Sequence, residues 1–243
     1  MAFFELISCQ GRLFFQPPNF VPLTEFTRLR HMRHQLFLSI LFLVLNTSDT
    51  LRAQTFGAAA VFGINAAQIQ GDDLAGYNKL GIHAGLRGII RLTDRTQFST
   101  GILYSEQGSQ SRVFAGNLEA IRKISLNYIE VPLLFSFLDW EHPEFNYYRI
   151  HFQGGLSYGR LLRAAAENSN YTDIAERELF AKNSVNYTFG ATYMINSTWG
   201  ATIRYSRTFH RVYDRRKYED DTSIPEVNSL IPYWLTFRLE VMF

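Results

Sequence analysis

The sequence predicts an all-β chain: an eight-stranded antiparallel up-and-down transmembrane β-barrel, with an N-terminal signal peptide. Three observations carry this expectation. Apolar and polar residues alternate along segments of 10 to 15 residues. Short and long connections alternate between those segments. A short basic-then-apolar stretch precedes the first of them.

The alternation is clearest in "KLGIHAGLRGIIRLTDRTQFSTGILYSE", residues 79 to 106. Leu80, Ile82, Ala84, Leu86, Ile90 and Leu92 occupy every second position, and Lys79, His83, Arg87 and Arg91 fall between them. On a helix those apolar residues would point all round the axis. Gly81, Gly85 and Gly88 would each cost about 1 kcal/mol against Ala in a helix interior. A strand gathers the apolar set on one face. "TDRT" at 93–96 supplies turn-forming types. Alternation resumes with Phe98, Ile102 and Tyr104 on one face and Gln97, Ser99, Ser105 and Gln107 on the other, so two long strands form a hairpin.

The N-terminus reads differently. Arg33 and His34 precede "LFLSILFLVL" (36–45), then polar "NTSDT" and "LRAQ". This is a basic region, an apolar core and a cleavage site at Ala53, so residues 32–53 form a signal peptide. The apolar run is short of the roughly 20 residues a membrane-crossing helix needs. Residues 1–31 lie before Met32, show no sustained period, and read as a spurious or disordered upstream extension. They hold Cys9, the chain's single cysteine. The part expected to fold, residues 54–243, therefore has no disulfide framework, thiol nucleophile or cysteine metal site.

The remaining elements follow in order. A first strand fits 55–65, before a polar loop "QGDDLAGYN". The hairpin supplies strands two and three. A Ser-, Gln- and Gly-rich loop covers about 108–123. Strand four is 124–138, with Ile129, Val131, Leu133, Phe135 and Phe137 on one face and Tyr128, Glu130, Pro132 and Ser136 on the other. "DWEHPEFN" connects it to strand five, 148–162, where Arg149, His151, Gln153 and Ser157 share a face. A polar loop spans about 164–183. Strand six runs from Val185 to Ile195 and strand seven from Trp199 to Ser206, joined by "NST". A charged loop, "HRVYDRRKYEDDTSIPEVNS", leads to strand eight, which alternates Tyr233, Leu235, Phe237, Leu239, Val241 and Phe243 with Trp234, Thr236, Arg238 and Glu240.

Strands of this length exceed the globular mean of about 5 to 6 residues and suit a membrane span of about 9 to 11 tilted residues. Backbone groups in hydrocarbon must pair, so the sheet must close. The apolar face then meets lipid and the basic face points inward. A soluble β-sandwich or lipocalin-like barrel would reverse that sidedness. It would have to bury Arg or Glu on half its strands or leave rows of Phe and Leu in water. Tyr147, Tyr148, Trp199 and Tyr233, at strand ends, suit interfacial girdles. A net charge of +2 implies no nucleic-acid partner.

Several of these pieces together resemble a family. "GAAAVFGIN" before "QGDD", then "GIHAGLRGIIRLTDRTQFSTGILYSEQGS", "LNYIEVPLLFSF" and "GGLSYGRLL", resemble the Bacteroidetes outer-membrane β-barrel family of PorT-like proteins. The resemblance covers about 55–243, and "YSEQGS" and "YIEVPLL" are its most specific parts. It implies an eight-stranded barrel in the bacterial outer membrane. Its best-known members are linked to protein secretion.

The expected interior series is Lys79, His83, Arg87, Arg91, Glu130, Arg149, His151, Arg204, Arg238 and Glu240. Side chains fill an eight-stranded barrel, and buried charges there must pair. A proton or ion path and a satisfied, plugging polar core are both compatible with this set; the plug is the expectation. His83 and His151 lack a third ligand at metal-site spacing. "GDD" (71–73) and "YEDD" (218–221) offer carboxylates for calcium without an EF-hand pattern. His210 and Asp214 share a loop with no marked nucleophile. The expected protein is thus non-enzymatic, with no cofactor. Its partners would be outer-membrane lipid, the barrel-assembly machinery during biogenesis, and secretion-system or envelope proteins. Phe243 resembles the terminal aromatic that the assembly machinery reads.

Overall fold

A computed structural model describes residues 56–74, 76–112, 121–144, 147–169, 171–218, 221 and 227–243. The expected extension 1–31, the expected signal peptide 32–53 and two of the four "YEDD" residues, Glu219 and Asp220, lie outside the described residues. Eight strands form a closed barrel in sequence order. They are β1 (Phe56–Gln70), β2 (Lys79–Thr93), β3 (Thr96–Gln110), β4 (Lys123–Glu141), β5 (Tyr148–Glu167), β6 (Asn183–Met194), β7 (Trp199–Thr208) and β8 (Ile231–Met242). Every neighbouring pair is antiparallel, and β1 pairs with β8 through registers such as Phe62 with Leu239 and Gly63 with Arg238. Closure leaves no sheet edge to solvate, the condition for crossing hydrocarbon as a sheet.

The barrel has a short-turn end, with connections at 94–95, 142–147 and 195–198, and a long-loop end. Side chains are sorted by strand parity. Leu86 and Ile102 are 67 % and 65 % exposed on the outside, while His83 and Glu240 are 0 % exposed inside. Gly63 is required by close packing: a Cβ there would stand 2.1 Å from the Phe237 carbonyl oxygen and 2.6 Å from the Arg238 Cβ. Arg238 enters the lumen beside that vacant position.

Several strands outrun their expected limits. β1 continues to Gln70, β3 to Gln110 and β5 to Glu167. β4 and β5 have 19 and 20 residues, against about 9 to 11 for one span. Their hairpin, paired from Glu141–Tyr148 to Lys123–Glu167, therefore projects past the membrane at the long-loop end. The expected 164–183 loop contains a helix, α1 (Thr172–Glu176). The charged loop before β8 holds a 3₁₀ turn, Arg215–Tyr218, and a bridge from Tyr213 to Leu230.

Candidate functional site

The lumen is the candidate site, and it is layered. Its middle is polar. Glu240 collects two guanidiniums from different strands. Arg87 Nη2 donates to Glu240 Oε2 at 2.8 Å, and Arg238 Nε and Nη2 donate to Oε1 at 2.9 and 2.6 Å. Thr202 Oγ1 also donates to Oε1 at 2.7 Å. Arg238 Nη1 and Arg204 Nη2 both lie 3.3 Å from His83 Nε2. Guanidinium nitrogens only donate, so His83 Nε2 is the acceptor and the ring is the Nδ1–H tautomer. That nitrogen, held between two arginines, is closed to a metal.

Glu130 accepts from Gln107 Nε2 at 2.7 Å, and Arg204 is its main counter-charge. Neutral links tie the strands together around these charges. Asn65 donates to Ser105 Oγ at 3.0 Å and accepts from Thr236 at 2.8 Å. Arg87 Nη1 donates to Gln153 Oε1 at 3.4 Å, and Gln153 continues to Thr192 at 3.1 Å. Arg87, Arg204, Arg238, Glu130, Glu240 and His83 are thus brought together in one buried layer. All are at most 3 % exposed. His151, 7 % exposed, lies toward the short-turn end and meets the Tyr148 carbonyl at 3.1 Å.

Two expected interior residues are corrected. Arg91 is exposed at the short-turn mouth, because β2 ends two residues later and its inward parity leads to solvent. Arg149 lies outside the network with its guanidinium carbon 5.5 Å from the centre of the Trp140 ring. It sits one residue into β5, and the Trp140 face offers a cation–π partner at the rim. Lys79 is buried and pairs with Glu106 of β3. The β2–β3 ladder begins only at His83–Ser105, although both strands run further outward. There the Glu106 carbonyl accepts from Asn65 at 3.0 Å.

Toward the long loops the filling turns apolar. Ile69, Ile124, Leu126 and Tyr128 line the wall, and Tyr171, Ile174, Phe180, Val212, Tyr213, Val227 and Leu230 pack on them from the loops. The Tyr171 hydroxyl donates to the Gly71 and Asn228 carbonyls at 2.8 and 3.2 Å, joining three loops. Sequence reading missed this cap, since it treated these stretches as polar loops. The available signal was the set of isolated apolar residues inside them. Burial raises the Tyr171 and Tyr213 hydroxyls above the usual tyrosine range. It also raises the Asp72 carboxyl, although the Leu74 N–H donates to Asp72 Oδ1 at 3.0 Å. His210 Nε2 meets the Asn183 carbonyl at 3.0 Å, and Asp214 lies beside Arg211 and Ser229. Those two candidates are each engaged elsewhere.

The family profile described as "Outer membrane protein beta-barrel domain" matches residues 52–214. The chain belongs to this outer-membrane barrel family. No curated protein matches by sequence. Solved structures with a similar fold include Ail, the attachment invasion locus protein of Yersinia pestis. It has 10 % identity and a TM-score of 0.42, with 77 % of this chain and 98 % of that chain covered. Neisserial surface protein A has 11 % identity and a TM-score of 0.42, covering 77 % and 97 %. Outer Membrane Protein W of E. coli has 13 % identity and a TM-score of 0.35, covering 80 % and 100 %.

Proposed function

We propose that this outer-membrane barrel is non-enzymatic, has a plugged polar interior, and acts through its outward loops in partner binding or envelope integrity. The observation that carries this reading is the double closure of the lumen. Glu240 is fully bonded to Arg87, Arg238 and Thr202 in the middle, and an apolar cap made by the loops lies above it. Such a lumen offers side chains no room to handle a passing solute. The packed cap instead gives the loops a fixed surface. Residues 32–53 direct export, the long loops face outward, and Phe243 serves the assembly machinery as a terminal aromatic.

The second reading is an accessory of a protein secretion or surface-assembly machine in a Bacteroidetes envelope. The "YSEQGS" and "YIEVPLL" pieces and their PorT-like resemblance favour it. Crosslinking in native outer membrane followed by purification of the barrel separates the two. Recovery of a stoichiometric set of secretion proteins favours the accessory role. Recovery with lipid and envelope proteins alone favours the first reading.

A further inference from the structure

The outer wall differs from one side of the barrel to the other at the long-loop end. β5 starts at Tyr148 and β7 at Trp199. A span of about 9 to 11 residues from those starts ends near Arg160 and Arg207, which share the outward parity of Leu156 and Ile203. Neither arginine belongs to an ion pair found among the described residues. Neutral partners hold each in place. Arg160 Nη1 donates to Asn183 Oδ1 at 2.6 Å, an oxygen to which the Tyr158 hydroxyl also donates at 2.8 Å. Arg207 Nη2 donates to Gln70 Oε1 at 2.9 Å, and its guanidinium carbon stands 5.9 Å from the centre of the Tyr233 ring. A guanidinium has five N–H donors, so both keep donors for an anion. On the long-loop half of β2–β4 the outward residues include Leu80, Ile82 and Ile129, and the acid Glu106 is already paired with Lys79. Lys123 stands farther out, at the tip of the β4–β5 hairpin opposite Glu167.

Between the two arginines lies an aromatic floor. Arg160 pairs with Asn183 and Arg207 with Tyr187, on opposite sides of β6. This sets the two positions about 13 Å apart along that strand. Tyr187 packs against Phe209 and Tyr205 with ring centres 5.1 and 6.3 Å away, and Phe209 is 59 % exposed. Farther down β7, Ala201 and Ile203 join Ile64, Phe237 and Leu239 in lining an apolar groove of about 480 Å³. The same β7–β8 ladder that pairs Arg207 with Tyr233 pairs Ile203 with Phe237 in that groove. A ligand that uses all of these features has two separated anionic groups, a ring between them and a hydrocarbon chain below. A lipid with one phosphate meets one arginine only. A sugar head with several phosphates meets both, and the apolar face of its ring rests on the aromatic floor.

We propose that the β5–β8 wall binds one molecule of an outer-leaflet glycolipid whose sugar head carries phosphates. Arg160 and Arg207 take the phosphates as charge-assisted hydrogen bonds. Tyr187 and Phe209 take a sugar face, and an acyl chain fills the groove between β1, β7 and β8. This inference rests on the reading that the long loops face outward, and it names one lipid among those that the barrel meets.

The test uses the full chain folded in detergent micelles, with native mass spectrometry counting bound lipid. Diphosphorylated lipid A is the probe, and its dephosphorylated form and phosphatidylglycerol are the comparison lipids. The expected result is one saturable lipid A per barrel and at least about tenfold weaker binding of the other two. Affinity for lipid A should fall about tenfold in Arg160→Gln and in Arg207→Gln, and should also fall in Ala201→Phe, which fills the groove. All three positions lie on the outer wall, so the variants retain the fold, which a heat-modifiable gel band checks. Absence of a saturable adduct, equal binding of either comparison lipid, or unchanged affinity in any of the three variants overturns the proposal. Lys217→Cys tests the outward reading separately. Lys217 is exposed on the loop before β8, and residues 54–243 have no cysteine of their own. Labelling of that cysteine by a membrane-impermeant maleimide in intact cells supports outward loops. Absence of labelling overturns that reading, and the outer-leaflet source with it, whatever binds in micelles.

Discussion

In the middle of the barrel the lumen is filled by strand residues alone, whereas toward the long loops the filling arrives from segments far apart in the chain. The middle layer takes Arg87 from β2, Glu130 from β4, Arg204 from β7 and Glu240 from β8. Each sits at an inward strand position, and the closed ladder fixes its height. The cap brings Tyr171 and Ile174 from one loop together with Tyr213 and Leu230 from another. The first region is held by charge pairing among residues at most 3 % exposed, and the second by apolar burial. They should therefore fail differently. Losing a charge in the middle strands its partner in the wall of the barrel, whereas losing apolar contact in the cap frees loops from an intact wall.

The largest expected effect follows from Glu240. Glu240→Gln leaves Arg87 and Arg238 buried without their shared carboxylate, and removing one partner of a buried pair costs about 3–5 kcal/mol. Urea unfolding in micelles should show that loss. Combining it with Arg87→Gln should cost less than the sum of the two changes, because the second removes a stranded charge. A loss under about 1 kcal/mol for Glu240→Gln would mean that the layer is not held by ion pairing.

Next comes the outer wall. Leu86→Arg places a charge at the centre of β2 on the exposed face, where a midplane arginine costs about 2–4 kcal/mol in a barrel. The variant should insert poorly into vesicles, as read by protease protection. Normal insertion would mean that this face does not meet lipid.

A smaller, local effect is expected in the cap. Ile174 is fully buried on the one-turn helix α1. Ile174→Asp sets an unpaired carboxylate among Tyr171, Phe180 and Tyr213 and should release the loops. Trypsin should then cut faster at Arg177 and Arg215, while the urea midpoint of the barrel changes little. In planar bilayers neither wild type nor Ile174→Asp should give steady conductance, because the Arg–Glu layer still fills the middle. Stable porin-like steps in the variant would assign the closure to the cap alone.

The two regions also differed in how far the sequence revealed them. Strand period is two, so Arg87, Glu130, Arg204, Arg238 and Glu240 could be assigned inward from the apolar neighbours that alternate with them. Parity does not give height. Arg91 and Arg149 follow the same alternation yet sit at the ends of their strands, where the inward direction opens to solvent or a rim tryptophan. The cap has no period at all. Its apolar residues are spaced by loop geometry and look solvated one at a time. β1 was cut short for a related reason: Gln70 and Gly71 read as loop and 66–69 carry no clear alternation, while Ile69 is buried against the cap.

The smallest expected effect lies where the cap meets the 71–78 loop. Asp72 is buried there, and Gly71 adopts a φ of +101°. Desolvation raises the Asp72 carboxyl above its ordinary value, and this outweighs the bonds that favour its ionised form. The folded protein therefore holds this proton more tightly than the unfolded chain does. The stability gained from the protonated group is fully present below the unfolded value and is lost as pH rises through the raised folded value. Asp72→Asn keeps an Oδ1 acceptor for the Leu74 N–H and cannot titrate. Relative to wild type, the variant should gain stability as pH climbs from about 3.5 toward neutrality and then level off. Taking the difference between the two urea midpoints cancels every titration they share. A difference moving the opposite way would mean that Asp72 is stabilised as the carboxylate, as a bound cation or an ion pair with Arg122 of the same small pocket would require. A flat difference would mean that the 71–78 loop opens before the barrel unfolds, which would separate the cap from the wall more sharply than the Ile174 variant can.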